Sequence, residues 1–167
     1  MPDLRDRQGY ALSARSPIAA ERYVEGLDRQ LSLNAGGVEG LSAAVQADPG
    51  FALGYAGLAF ALWYRQDVPA AKVSLDRARA LVGDLTPRER QHVEIVGAFV
   101  DGEAARALPL LHEHLTDYPR DGLIMHLTTM TIARSGRLGR RQEAYDLLAR
   151  LAPAWGDDWW FLGSSAI

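Results

Sequence analysis

The sequence predicts an all-α chain of about four antiparallel helix pairs followed by a ninth, unpaired helix. Two observations carry that prediction. A small residue followed four positions later by leucine recurs at Gly37/Leu41, Ala71/Leu75, Ala107/Leu111 and Ala144/Leu148, in steps of 34, 36 and 37 residues. Cap and turn residues of independent chemistry fall between the apolar helical stretches, so local signals agree with the period. A single helix pair cannot bury its own apolar stripe, whereas stacked pairs bury a continuous core and leave a curved surface to one side.

Residues 1–15 show no sustained period and form an expected N-terminal arm, with residues 16–167 as the array. Ser16-Pro17 opens the first helix: an oxygen-bearing cap, then proline where its missing N–H costs nothing. Ile18, Tyr23, Val24, Leu27 and Leu31 share one stripe of it. Asn34-Ala35-Gly36-Gly37 breaks that helix, and a second runs from about Val38 to Ala47. Asp48-Pro49-Gly50 is the clearest turn in the chain. Tyr55-x-x-Leu58-Ala59-x-x-Leu62 and Ala71-x-x-x-Leu75-x-x-Ala78 give the next pair, its small residues allowing close approach. Thr86-Pro87-Arg88-Glu89 is a capping box containing proline, and the helix it starts ends at Asp101-Gly102. Ala104–Leu115 is its partner. Tyr118-Pro119-Arg120-Asp121 turns the chain into a helix over Leu123–Arg134, stopped by Ser135-Gly136. A longer linker through Arg137, Gly139 and Arg140 accounts for the 37-residue step, and Gln142–Leu151 completes the fourth pair. A ninth helix starts near Asp157-Asp158, whose charges suit its dipole.

The second pair carries at every site the consensus residue, or one of its class, of Trp-x-x-Leu-Gly-x-x-Tyr followed by Ala-x-x-x-Phe, and Trp159-x-x-Leu162-Gly163 repeats the opening literally. On these residues the chain resembles the tetratricopeptide repeat superfamily over most of residues 17–167. Within it, Tyr10, Ser13, Ser16, Ala19, Tyr23 and Gly26, then Asp48-Pro49-Gly50-Phe51 and Gly156-Asp157-Asp158-Trp159-Trp160-Phe161, resemble the tetratricopeptide repeat protein 38-like family. The resemblance implies a right-handed superhelix and a binding role rather than a reaction.

Composition narrows the function further. The 167 residues are 48% apolar and 23% charged, ordinary globular values. There is no cysteine, which excludes disulfides, thiolate metal sites and cysteine nucleophiles. A net charge of −3 speaks against general nucleic-acid binding. The charged start has no apolar signal core and no run approaches the roughly 18 residues of a membrane span, so a cytoplasmic setting without membrane contact is expected. Of 18 basic residues only Lys72 is lysine, an excess of arginine that reads as base composition of the genome before it reads as anion recognition.

Motifs with chemical potential have plainer readings. His112 and His114 are two apart and point to different sides of a helix, so no metal is expected, nor any cofactor. His92 and His126 stand alone. Ser164-Ser165 lacks a strand–turn–helix elbow, and no glycine loop has the phosphate-cradling form. Asp157-Asp158 reads as a helix start, and Arg134, Arg137, Arg140 and Arg141 as a solvated linker before an anion site. No catalytic residue is expected.

In the fold the resemblance implies, the first helix of each pair lines the concave surface. Consensus positions then point Leu53, Ala56, Phe60, Trp63 and Tyr64 inward, followed by His92, Val96 and Phe99, and by His126, Met130 and Arg134. This face is apolar and aromatic, where a carboxylate clamp needs lysine, arginine and asparagine. It suits a peptide, helix or partner domain laid into a groove. The alternatives are that these residues pack under the N-terminal arm or in a dimer, or that an enzyme or carrier uses the groove as an apolar pocket, with His92, His126, Tyr64 and Arg134 as polar handles. Finally, Trp159, Trp160, Phe161 and Leu162 have no second helix to cover them before the sequence given ends. The expectation is that this edge is buried in a homodimer or by further repeats.

Overall fold

The computed structural model describes residues 3–165; Met1 and Pro2 of the expected arm, and Ala166 and Ile167 at the end of the expected array, lie outside the described residues. From Pro17 onward the described chain is built of α-helices: α1 (Pro17–Leu31), α2 (Gly37–Ala47), α3 (Ala52–Tyr64), α4 (Val68–Ala80), α5 (Pro87–Val100), α6 (Ala104–Asp117), α7 (Gly122–Arg134), α8 (Arg140–Trp155) and α9 (Trp159–Ser165). A short 3-10 turn at Val82–Asp84 joins α4 to α5. The one β feature among the described residues is an isolated antiparallel bridge between Arg5 and Ala11 in the arm. No described helix is long and apolar enough to cross a membrane.

Helix starts fall where the sequence supplies caps. The Ser16 side chain accepts from the Ala19 amide, and Pro17 follows at the first helical position. Thr86 and Glu89 form the full reciprocal capping box on α5. Asp67 and Asp121 accept from the Ala70 and Ile124 amides at the starts of α4 and α7. Where α2 begins the chain turns through a left-handed residue, Gly36 at φ 95°, which glycine adopts without a side-chain clash.

The turns are short, so α1/α2, α3/α4, α5/α6 and α7/α8 pack as antiparallel neighbours. The first pair is the tightest. A Cβ on Gly26 would lie 2.7 Å from the Leu41 backbone nitrogen, and one on Gly40 would lie 2.8 Å from the Gly26 Cα. Only glycine lets these two backbones meet.

The first helices of the pairs also stack on one another: α1 on α3, α3 on α5, α5 on α7, and α7 returns to α1. That return closes the inner layer. Its middle member, α3, is apolar around its whole circumference and buried over Ala52–Gly54 and Ala56–Ala61. The arm lies against the layer's edge. The Ser13 amide and hydroxyl both donate to Glu89, the Arg15 amide donates to Asp48, and Leu12 and Ala14 join the core.

At the other end α9 folds back. Asp158 Oδ1 accepts from the Trp160 and Phe161 amides at 3.0 and 3.1 Å, fixing the start of the helix. Phe161 stacks on Trp155 with ring centroids 5.3 Å apart, and Trp160 Nε1 donates to the Leu31 carbonyl at 3.1 Å. Trp160 and Phe161 are thereby buried within the chain, while Trp159 is 62% and Leu162 51% exposed. The expectation that all four edge residues need cover from outside is corrected for the middle two: the end of α8 and the end of α1 cover them.

Candidate functional site

The expected groove residues separate into two groups. Leu53, Ala56, Phe60 and Val96 are fully buried, and His92 is buried with them. Their positions on α3 and α5 do face the inner layer, but α1, α7 and the arm fill the space a groove would occupy, so these five do not line an open surface. Phe99 is almost buried, Trp63, His126 and Met130 are half-buried, and Tyr64 and Arg134 are exposed.

This second group lies mainly toward the C-terminal ends of α3, α5 and α7, brought together because the first helices run in one direction. Phe60 is the hub, with Phe99, Tyr64 and His126 at 6.2, 6.1 and 5.8 Å between ring centroids. Trp63 meets Phe99 edge-on at 4.7 Å, and the Arg134 guanidinium sits 5.0 Å above the Trp63 ring. Aromatic edge contacts and a cation over indole each hold such a cluster in a fixed shape. Burial lowers the His126 pKa below its ordinary value, keeping the ring uncharged among these aromatics.

A second constellation, which the sequence reading did not assemble, lies deeper. Asp121 Oδ2 has Arg88 Nη1 at 2.9 Å, His92 Nδ1 at 3.1 Å and His114 Nε2 at 3.2 Å. Arg88 also reaches Asp6 Oδ2 at 3.3 Å, donates to the Ala11 carbonyl, and lies 4.8 Å over the Tyr10 ring. His114 Nδ1 is 2.9 Å from Gln91 Oε1, and its ring lies 4.9 Å from that of Tyr118. Burial alone would raise the Asp121 carboxyl, but the charges and hydrogen bonds of His92 and His114 hold it well below the usual carboxylate range. Burial likewise raises the Asp6 carboxyl, and there it prevails over Arg88. Burial would pull Arg88 down, yet Asp121 and Asp6 hold it above its ordinary value. His92 Nε2 is buried with no hydrogen-bond partner among the described residues. A cavity of about 20 Å³ beside it is lined by Asp6, Tyr23, Leu27, Arg88, His92 and Asp121 among others.

The signals for this node were present but scattered. Arg88 and His92 are one turn apart on the buried stripe of α5, and His114 stands between Leu111 and Leu115 on that of α6, where apolar residues are the rule. Asp121 reads locally as part of the Tyr118-Pro119-Arg120-Asp121 turn, and in the structure it also caps α7.

The remaining motifs settle into structural contacts. His112 lies 3.6 Å from Glu143, and Arg137 pairs with the same carboxylate at 2.6 Å. Arg134 is over Trp63, so the arginines of the linker do not converge. Asp158 caps α9 and lies 3.5 Å from Arg7.

No family model matches this chain, and no solved structure matches it significantly. The class its described residues define is an all-helical chain of repeat-like, packed helix pairs.

Proposed function

We propose that the chain is a tetratricopeptide-type right-handed array and works as a non-catalytic protein-interaction module. Its contact surface is the rim formed by Trp63, Tyr64, His126, Met130 and Arg134, not the length of an open groove. The observation that carries this reading is the half-exposed aromatic cluster, with Trp63 held between Phe99 below and Arg134 above. Tryptophan, tyrosine and arginine are the residues that dominate binding energy when a partner desolvates them. Here they are pre-ordered by packing, which lowers the entropy lost on association. A peptide, a helix or a partner domain presenting an apolar ridge fits such a rim.

The rival reading, an enzyme or carrier enclosing an apolar small molecule, loses support from the same geometry. His92 is separated from His126, Tyr64 and Arg134, and the cavity His92 lines holds about 20 Å³, room for a water but not for an organic ligand.

The test is selection of helical peptides from a display library against the purified chain. Peptides whose binding falls at least tenfold with Trp63→Ala, but not with Ile18→Ala at the exposed start of α1, support the rim. Peptides indifferent to Trp63→Ala and Tyr64→Ala overturn it. A homodimer through the C-terminal edge is proposed as a weak contact, since only Trp159 and Leu162 offer exposed area there.

A further inference from the structure

His92 on α5, His114 on α6 and Asp121 at the start of α7 bring one possible ligand atom each within 4.8 Å of one another, all three buried. We propose that they form a site for one divalent transition-metal ion of the zinc class, held by His92 Nδ1, His114 Nε2 and Asp121 Oδ2.

Two imidazoles and one carboxylate are the donor set that zinc and its neighbours prefer over calcium or magnesium, which take oxygen ligands. The spacing also fits. Ligands about 2.0–2.2 Å from a tetrahedral ion stand roughly 3.3–3.6 Å apart. The two histidine nitrogens lie 3.1 and 3.2 Å from Asp121 Oδ2 and within 4.8 Å of each other, so the ion is admitted when Oδ2 draws back and the two imidazoles close toward it.

The surrounding groups orient the donors. Gln91 Oε1 lies 2.9 Å from His114 Nδ1 and fixes that ring with Nε2 directed at Asp121 Oδ2. The Ile124 amide donates to Asp121 Oδ1, leaving Oδ2 as the oxygen that faces the histidines.

Arg88 is the obvious objection, because its guanidinium donates to the same oxygen from 2.9 Å. It approaches as a hydrogen-bond donor alongside the histidines, and Asp6 lies 3.3 Å from it on the arm. Asp6 therefore remains as a carboxyl partner for the guanidinium when Asp121 Oδ2 turns to the ion.

A second, independent observation is the orphaned His92 Nε2 with its small cavity. With Nδ1 on the metal, Nε2 carries a proton and needs an acceptor. About 20 Å³ holds one water, which supplies that acceptor, and the three protein ligands leave a fourth position open on the ion.

The experiment uses the whole chain, stripped with a chelator and titrated with Zn²⁺ by calorimetry and with Co²⁺ by visible absorption. One equivalent per chain is expected, with Co²⁺ giving the intense visible bands of a four- or five-coordinate site. At a hundredfold excess of Zn²⁺ over its dissociation constant the melting temperature is expected to rise by about 5–11 °C. His114→Gln, close in size and still able to hydrogen-bond Asp121, is expected to weaken binding at least a hundredfold, while His112→Gln leaves it unchanged. X-ray absorption on the unaltered zinc-loaded chain is expected to show two imidazoles and covers the case in which His114→Gln fails to fold. Failure to bind a full equivalent, pale six-coordinate Co²⁺ spectra, fewer than two imidazoles on zinc, or binding that survives His114→Gln would each overturn the proposal.

Discussion

Replacing Asp121 with asparagine tests what holds the arm, α5, α6 and α7 together. Asparagine keeps the volume and can still cap α7 by accepting from the Ile124 amide, so the perturbation isolates the charge. The Arg88 side chain is 7% exposed and would lose its closer carboxylate, keeping Asp6 at 3.3 Å. Removing one partner of a buried ion pair costs about 3–5 kcal/mol, and the surviving Asp6 contact places this case near the lower end, about 3 kcal/mol. For a chain of this size that is a fall in melting temperature of roughly 6–12 °C. The pH dependence is the sharper check. The folded carboxyl lies well below its ordinary value, so its contribution is fully present above the unfolded pKa of about 3.9 and is lost as pH falls through the folded value. Urea unfolding in metal-free buffer from pH 7 down to pH 2 should show the two proteins converging in acid. A difference below 1 kcal/mol at pH 7, or one that does not shrink in acid, would refute the reasoning.

Gly26→Ala should destabilise by about 1–3 kcal/mol in urea titration, because the new Cβ would meet the Leu41 backbone, which cannot rotate away. Trp160→Ala should cost about 3–5 kcal/mol through lost burial and the lost bond to the Leu31 carbonyl, whereas Trp159→Ala should stay within about 0.5 kcal/mol; parallel thermal melts compare them. Light scattering should show apparent mass rising with concentration in the parent chain and a constant monomer in Trp159→Ser. His126 should remain uncharged at neutral pH, its ring NMR shifts titrating below the ordinary value of about 6.5. Because its folded pKa is depressed, the stability it contributes is present above that ordinary value and is lost as pH falls through the folded one.

Helices were legible because their ends are written in local chemistry. Ser16-Pro17 and Thr86-Pro87 each supply a cap three residues before the amide they satisfy. Pairing was legible from the same source, since short turns leave few ways for consecutive helices to pack. The closure of α7 onto α1 was not. A repeat period fixes how each pair meets the next, but the superhelical path accumulates from small rotations that no single residue encodes. Leu53, Phe60 and Val96 are fully buried in the inner layer, where the period alone points them at an open concave face.

The buried polar node escaped for a different physical reason. Its members sit on the arm, α5, α6 and α7, and each has a sufficient local explanation: Asp121 in a turn, Arg88 inside a capping box, His114 as one of a mismatched pair. What marks them as a unit is cost. An arginine, two histidines and an aspartate are buried here, and each is expensive to desolvate unless the others are in place. A sequence shows that cost only where a polar residue interrupts an apolar stripe, as His92 does among Val93, Ile95 and Val96. The exposed rim differs, because Trp63 and Tyr64 carry their meaning in being left partly uncovered. The two constellations thus place opposite demands on the fold: one is stable only when sealed, and the other binds only while it stays open.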